Sequence, residues 1–136
     1  MPEFDWLMRA FPNFVRYVVT SFALTLLFTW VYTLITPWRE FALIRAGNTA
    51  AAIALIGAVL GFCLPLANTI AHSASLLDVV LWASVAVAVQ AVVHAGMRVT
   101  LPHLPEAIEG NSIAAGVTAG GFALSFGLVN AACLTA

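Results

Sequence analysis

The sequence predicts an all-α integral membrane protein whose four transmembrane helices form a parallel tandem repeat of two-helix units. Hydrophobic residues make up 62% of the 136 residues and charged residues only 8%, which is too little charge to cover a soluble domain of this length. Charged residues are missing from four long stretches, residues 17–38, 46–77, 79–97 and 110–136. A segment of the first half also recurs in the second half. Lipid is therefore the expected solvent of most of the surface.

Each uncharged stretch is long enough to cross the hydrocarbon core as a helix, which takes about 20 residues. Apolar and polar residues do not alternate with period two in these stretches, so helices are favoured over barrel strands. Glu3 and Asp5 precede the first apolar run, and that run is longer than the core of a signal peptide, so we expect the first helix to be retained. A single membrane domain, residues 1–136, is predicted to contain spans at Phe14–Thr36, Asn48–Ile70, Leu77–Met97 and Asn111–Leu134.

The internal similarity divides the chain into two units. Residues 45–58 resemble residues 108–121, and a proline ends the span before each segment, Pro37 in the first unit and Pro102 in the second. Each unit contains an even number of spans, so both units insert in the same orientation. The predicted repeats cover about residues 14–72 and 77–136.

A short linker and a Gly-Asn pair join the two spans of each predicted repeat. The linkers Trp38–Ala46 and His103–Glu109 fit short helices lying among the headgroups. We expect the glycines of the two pairs to end the linker helices in a left-handed conformation and the asparagines to cap the following spans. A second interpretation is that the asparagines face each other across the pseudo-two-fold axis as a polar gate. The pairs are Gly47 with Asn48 and Gly110 with Asn111.

Glycines recur at four-residue spacing on the second and fourth predicted spans. Gly57 and Gly61 form one G-xxx-G pair, and Gly116 and Gly120 form the other. Such pairs allow helix backbones to approach closely in a membrane. The sequence therefore predicts tight helix packing at these four positions, with a partner helix from this chain or from another copy.

The third predicted span carries a polar stripe. Gln90, His94 and Arg98 are separated by four residues each and so share one helix face. When the halves are aligned on their prolines, Thr25 and Thr29 of the first span correspond to Gln90 and His94. These side chains either form ordinary interhelical hydrogen bonds or line a polar path in which His94 responds to protons.

Several functional classes lack support in the sequence. The chain has no lysine and a net charge of −1, which does not favour nucleic-acid binding. It contains no hydrolase elbow, phosphate loop, zinc signature or dinucleotide fingerprint. We therefore expect a protein that is not an enzyme and that needs no metal or other cofactor.

Four segments resemble the YjfL-like family of bacterial inner-membrane proteins: Phe41–Leu55, Leu64–Ser73, Leu104–Ala115 and Gly127–Thr135. The resemblance implies a four-span protein of the inner membrane, built from a duplicated two-span unit. It implies no established activity and no catalytic residues, because the family is a domain of unknown function. Relatives are often encoded beside phage-shock/ESCRT-III-like membrane-remodelling proteins, which implies a role in envelope integrity or stress.

The predicted function is that of a non-enzymatic membrane module that assembles as a homo-oligomer through the G-xxx-G faces and presents its arginine-bearing linkers to headgroups or to a peripheral phage-shock/ESCRT-III-like protein. The alternative is a small ion or solute channel or transporter with a path through Gln90 and His94. The positive-inside rule favours a cytoplasmic location for the linkers, because three arginines lie on that side and two on the other. The linker side holds Arg39, Arg45 and Arg98, and the other side holds Arg9 and Arg16.

Overall fold

The computed structural model describes residues 2–134 and contains six helices in that range. Four of them are long and apolar enough to cross a membrane, so the all-α class and the four spans are confirmed. The two short helices are the linkers, and the order long, short, long occurs twice. Whether the halves arose by duplication stays a prediction. The helices are α1 (Pro2–Ile35), α2 (Glu40–Arg45), α3 (Thr49–His72), α4 (Leu76–Thr100), α5 (Leu104–Glu109) and α6 (Ile113–Cys133).

Short polar side chains start the three later long helices. Asn48 caps α3, Ser75 caps α4 and Ser112 caps α6, each accepting a hydrogen bond from a backbone N–H of the first turn. The helices α1 and α4 end two residues before Pro37 and Pro102, because the residue before a proline is disfavoured in helical conformation. Capping and proline placement therefore set the limits of the spans.

The first helix starts much earlier than the predicted span. It begins at Pro2 and not near Phe14. Proline is suited to the first helical position, and the acidic side chains of Glu3 and Asp5 lie in the first turn, where they interact favourably with the helix dipole. The additional turns are helical but lie outside the predicted hydrocarbon region.

The helices α3 and α6 form the centre of the bundle, with α1 and α4 beside them. Of the four long helices, α3 is the most buried. Phe28 of α1 stacks on Phe62 of α3 with ring centroids 4.5 Å apart, inside a core cluster that also includes α4. A second cluster lies at the linker end of the bundle, where Trp38, Leu104 and Ile108 pack against α3 and α6. The two linkers are therefore part of the packed structure at one membrane face.

Candidate functional site

The side chain of Asn48 joins the two halves at the linker face. Its Oδ1 accepts a hydrogen bond of 2.9 Å from the N–H of Ala51, which confirms the predicted cap of α3. Its Nδ2 donates to the carbonyl of Ile108 at 2.8 Å and to that of Glu109 at 3.3 Å. These carbonyls lie at the C-terminal end of α5, and that of Ile108 also accepts a hydrogen bond of 3.0 Å from the N–H of Asn111. One buried side chain thus completes the start of α3 and the end of α5.

The side chain of Asn111 crosses between the halves in the opposite direction. Its Oδ1 accepts a hydrogen bond of 3.1 Å from the N–H of Ala50, in the first turn of α3. The prediction that Asn111 caps α6 is therefore wrong, since Ser112 performs that role. Each asparagine side chain bonds backbone groups of the opposite half, and within residues 2–134 the two side chains form no hydrogen bond with each other.

The left-handed residue occupies a different position in each junction. Gly47 has φ +89°, as predicted, but Gly110 has φ −79°, so the prediction for Gly110 is wrong. In the second half Asn111 takes the left-handed conformation, with φ +61°. The helix α5 continues to Glu109, which moves the reversal one residue along the chain. Asparagine tolerates this conformation better than most residues with a Cβ, and the shift turns its side chain towards α3.

The predicted glycine pairs lie where the backbones of α3 and α6 meet. A Cβ on Gly57 would overlap the Cα of Gly120, and a Cβ on Gly120 would lie 2.5 Å from the carbonyl oxygen of Ile53. A Cβ on Gly116 would lie equally close to the carbonyl oxygen of Ala50. The obstacles are backbone atoms, which cannot rotate away. In this structure the partner helix therefore belongs to the same chain.

Gln90 is buried where α3, α4 and α6 converge. It is 2% exposed, and its Nε2 donates to the carbonyl of Ala123 at 3.0 Å. A Cβ on Gly61 would come within 2.7 Å of that nitrogen, so the glycine leaves room for the amide. The other end of the amide, Oε1, is buried without a hydrogen-bond partner. An unpaired carbonyl oxygen near the middle of a span is costly.

His94 lies one turn nearer the linker face than Gln90. Its Nδ1 is 2.7 Å from the carbonyl oxygen of Gln90, and its ring meets the ring of Tyr32 edge-on with centroids 5.1 Å apart. A cavity of about 10 Å³ beside His94 has room for about one water molecule. Arg98, at the end of the stripe, is exposed and approaches the carbonyl of Ile35 at 3.5 Å. The stripe therefore runs from the buried centre of the bundle to its surface.

The two threonines that align with Gln90 and His94 donate their hydroxyl hydrogens to carbonyls of their own helix. Thr25 donates to the carbonyl of Ser21 and Thr29 donates to that of Thr25, both at 2.9 Å. Threonine commonly bonds the carbonyl four residues earlier in this way. The α1 side chain that contacts His94 is Tyr32. Its hydroxyl is buried without a hydrogen-bond partner.

Glu40 is a buried carboxyl group that the sequence did not reveal. It is 1% exposed at the start of α2, and its Oε1 lies within hydrogen-bond distance of the Thr36 hydroxyl. That hydroxyl also lies 3.0 Å from the carbonyl oxygen of Tyr32. A hydroxyl has one hydrogen, so Thr36 donates it to one of these two oxygens at a time. Burial raises the pKa of Glu40, and the hydrogen bond with Thr36 opposes part of that shift.

Charges of opposite sign are exposed on the two linkers. Arg39 and Arg45 border a groove of about 480 Å³ at the corner between α1 and α2. Glu106 and Glu109 are exposed on α5. The linker face therefore presents a basic side at α2 and an acidic side at α5.

Comparisons with known proteins give consistent matches over the length of the chain. The family model described as Domain of Unknown Function (DUF350) matches residues 5–134. The chain is 38% identical over 122 residues to a protein of Escherichia coli (strain K12) called UPF0719 inner membrane protein YjfL, which covers 90% of this chain and 92% of the relative. The protein of the same name from Escherichia coli O157:H7 matches to the same extent. No solved structure gives a significant match.

Proposed function

Because this chain belongs to the DUF350 family and is, like YjfL, a multi-pass protein of the inner membrane, we propose that it is a non-enzymatic membrane module that supports envelope integrity. In this proposal several copies assemble side by side in the membrane. Their basic linkers then dock a peripheral phage-shock/ESCRT-III-like protein at the membrane surface.

The observation that carries the proposal is the pair of reciprocal asparagine bonds. Asn48 bonds the end of α5, and Asn111 bonds the start of α3. The linkers are therefore held to each other and to the two central helices, and do not hang as free loops. A surface whose parts keep fixed positions suits docking, because little conformational entropy is lost when a partner binds.

The charge distribution supports assembly of several copies. Arg39 and Arg45 lie on one linker, and Glu106 and Glu109 lie on the other. A head-to-tail contact that places the basic side of one copy against the acidic side of the next uses both sets of charges. Contacts of this heterologous kind form closed rings when the rotation between copies closes.

Charge reversal tests docking and assembly separately. In the Arg39→Glu/Arg45→Glu double variant we expect loss of oligomers and loss of copurification with the phage-shock/ESCRT-III-like protein. Adding Glu106→Arg and Glu109→Arg restores opposite charges between copies, so oligomers are expected to return while the partner does not.

The Arg9→Glu/Arg16→Glu variant is the matched control for docking, because it reverses the same number of charges at the other end of α1. It is expected to keep the partner. Copurification that survives reversal of Arg39 and Arg45 would contradict docking at α2. Oligomers that survive it would contradict the head-to-tail contact.

A second candidate is a small ion or solute channel with a path through Gln90 and His94, which the unpaired Oε1 of Gln90 favours. A groove of about 710 Å³ along α4 and α6 has an apolar lining that includes Val89, Val92 and Phe122, which does not suit an ion. If the chain is such a channel, proteoliposomes that contain it should show ion flux. That flux should fall in the His94→Ala and Gln90→Ala variants. Flux at the level of empty vesicles, with the chain correctly inserted, would remove this candidate.

A further inference from the structure

The first four turns of α1 extend beyond the helical bundle. The helix has 34 residues, which corresponds to about 51 Å, whereas the hydrocarbon core is about 30 Å thick. The stretch from Arg16 to Ile35 alone spans about 29 Å. Tyr17 is the first residue of α1 that packs against the core cluster. Residues 2–16 are exposed, except for the half-buried Ala10.

Large apolar side chains follow one face of this extension, which we call the N-terminal segment, residues 2–16. Phe4, Leu7, Met8, Phe11 and Val15 fall at helical spacing, each three or four residues from another member, and so share an apolar helix face. Their exposed fractions lie between 40% for Val15 and 61% for Met8. An apolar stripe of this size in water is unfavourable unless a partner or a membrane covers it.

Polar side chains follow the opposite face of the N-terminal segment. Asp5, Arg9, Asn13 and Arg16 recur every three or four residues, about 100° to 180° away from the centre of the apolar stripe. Phe14 lies at the border between the two faces and is 62% exposed, whereas Trp6, 69% exposed, lies on the polar side. A helix with this division, and with an aromatic residue at its border, has the form of helices that lie at the membrane–water boundary.

We propose that the N-terminal segment lies along the bilayer surface, on the membrane side opposite to α2 and α5, with its apolar stripe inserted among the acyl chains. The bilayer is what covers the apolar stripe, because the segment is joined directly to a transmembrane span. The membrane surface therefore lies within one segment length of every residue in the stripe. Pro12 has no N–H to offer the carbonyl of Met8, and helices bend at such positions. In the proposed placement α1, which is one continuous helix over Pro2–Ile35, bends at Pro12 and tilts the turns before it towards the membrane plane.

The charges of the segment indicate what kind of bilayer it needs. Arg9 and Arg16 are balanced by Glu3 and Asp5. Insertion is therefore driven by apolar side chains and not by attraction to anionic lipid. Vesicles of phosphatidylcholine alone are sufficient, and salt has little effect.

Spin labels on the two faces test the placement in the full chain. In a Cys63→Ala/Cys133→Ala background, Leu7→Cys carries a label on the apolar stripe and Arg9→Cys carries the matched label on the polar face. In phosphatidylcholine vesicles the Leu7 label should be reached more easily by dissolved oxygen than by a water-soluble nickel chelate, and the Arg9 label should show the reverse order.

Two results would overturn the proposal. Equal access of the nickel chelate to both labels would place the segment in water. Dipolar broadening of the Leu7 signal that disappears when labelled chains are diluted with unlabelled ones would place a second copy on the stripe. Unchanged helix content by circular dichroism verifies that each labelled chain is folded, which is expected because the segment lies outside the packed bundle.

Discussion

The side-chain amide of Asn48 donates a hydrogen bond of 2.8 Å to the carbonyl of Ile108, which lies 60 residues further along the chain. The same side chain caps the helix that follows it. Two roles that act on different helices are thus concentrated in one residue, and they can be separated by substitution.

Asn48→Ala and Asn48→Ser distinguish the two roles. Serine keeps the capping oxygen and removes the amide donor, whereas alanine removes both. We expect Asn48→Ala to lower the free energy of unfolding by about 2 kcal/mol and Asn48→Ser by about 1 kcal/mol. Denaturant titration in detergent micelles measures both. Equal stability of the serine variant and the parent would mean that the bond to α5 contributes nothing.

Gly57→Ala and Gly121→Ala form a matched pair for the packing of α3 against α6. A Cβ on Gly57 would overlap backbone atoms of Gly120, whereas no atom lies within 4 Å of a Cβ on Gly121. We expect Gly57→Ala to destabilise the chain by about 3 kcal/mol or to unfold it, with little change for Gly121→Ala. Thermal unfolding followed by circular dichroism compares them, and similar losses in both variants would contradict close packing.

Gln90→Leu separates a structural role from a transport role. Leucine removes the donor to Ala123 and also the unpaired oxygen, and an interhelical hydrogen bond in a membrane is worth only about 0.6 kcal/mol. We expect a change in stability below about 1 kcal/mol, measured by unfolding in micelles. A much larger loss of stability would show that the amide holds the three helices together. In that case a loss of ion flux in a Gln90 variant would reflect disrupted packing and would not be evidence for a path.

Glu40→Gln should change how stability depends on pH. Burial raises the pKa of Glu40 above its ordinary value of 4.5, so the favourable contribution of the neutral carboxyl is complete below about pH 4.5 and is lost as pH rises through the raised pKa. Glutamine stays neutral. We expect the variant to match the parent at pH 4 and to exceed it in stability at pH 8. A difference that is the same at both values would contradict a buried, titrating carboxyl.

The spans were predictable from sequence, and the details of the linker face were not. Hydrocarbon demands long uncharged helices, so composition alone indicated all four of them. The conformation of Asn111 depends on where α5 ends. Aligning the two Gly-Asn pairs by sequence does not reveal that the left-handed residue lies one position later in the second half. Helical spacing placed Glu40 among the polar residues of an amphipathic linker, but α2 turns that carboxyl inward towards Thr36.

The polar contacts inside the bundle show a second limit of sequence reasoning. Aligning the halves on their prolines made Thr29 the counterpart of His94 in the other half, but such an equivalence does not show which side chain of α1 meets His94. The side chain that meets His94 is Tyr32, three residues further along α1. By contrast, the glycine spacing did indicate the contact surface of α3 and α6. Close approach of two helix backbones depends on where the glycines lie and not on side-chain rotamers.

The bond from Ala50 to Asn111 has a consequence for biogenesis. The acceptor is synthesised 61 residues after the donor, so the N–H of Ala50 emerges from the ribosome long before its partner exists. Until the last hairpin has been inserted, that amide must remain hydrated at the headgroups. The leading hairpin therefore reaches its mature form only after the segment that contains Asn111 has been synthesised.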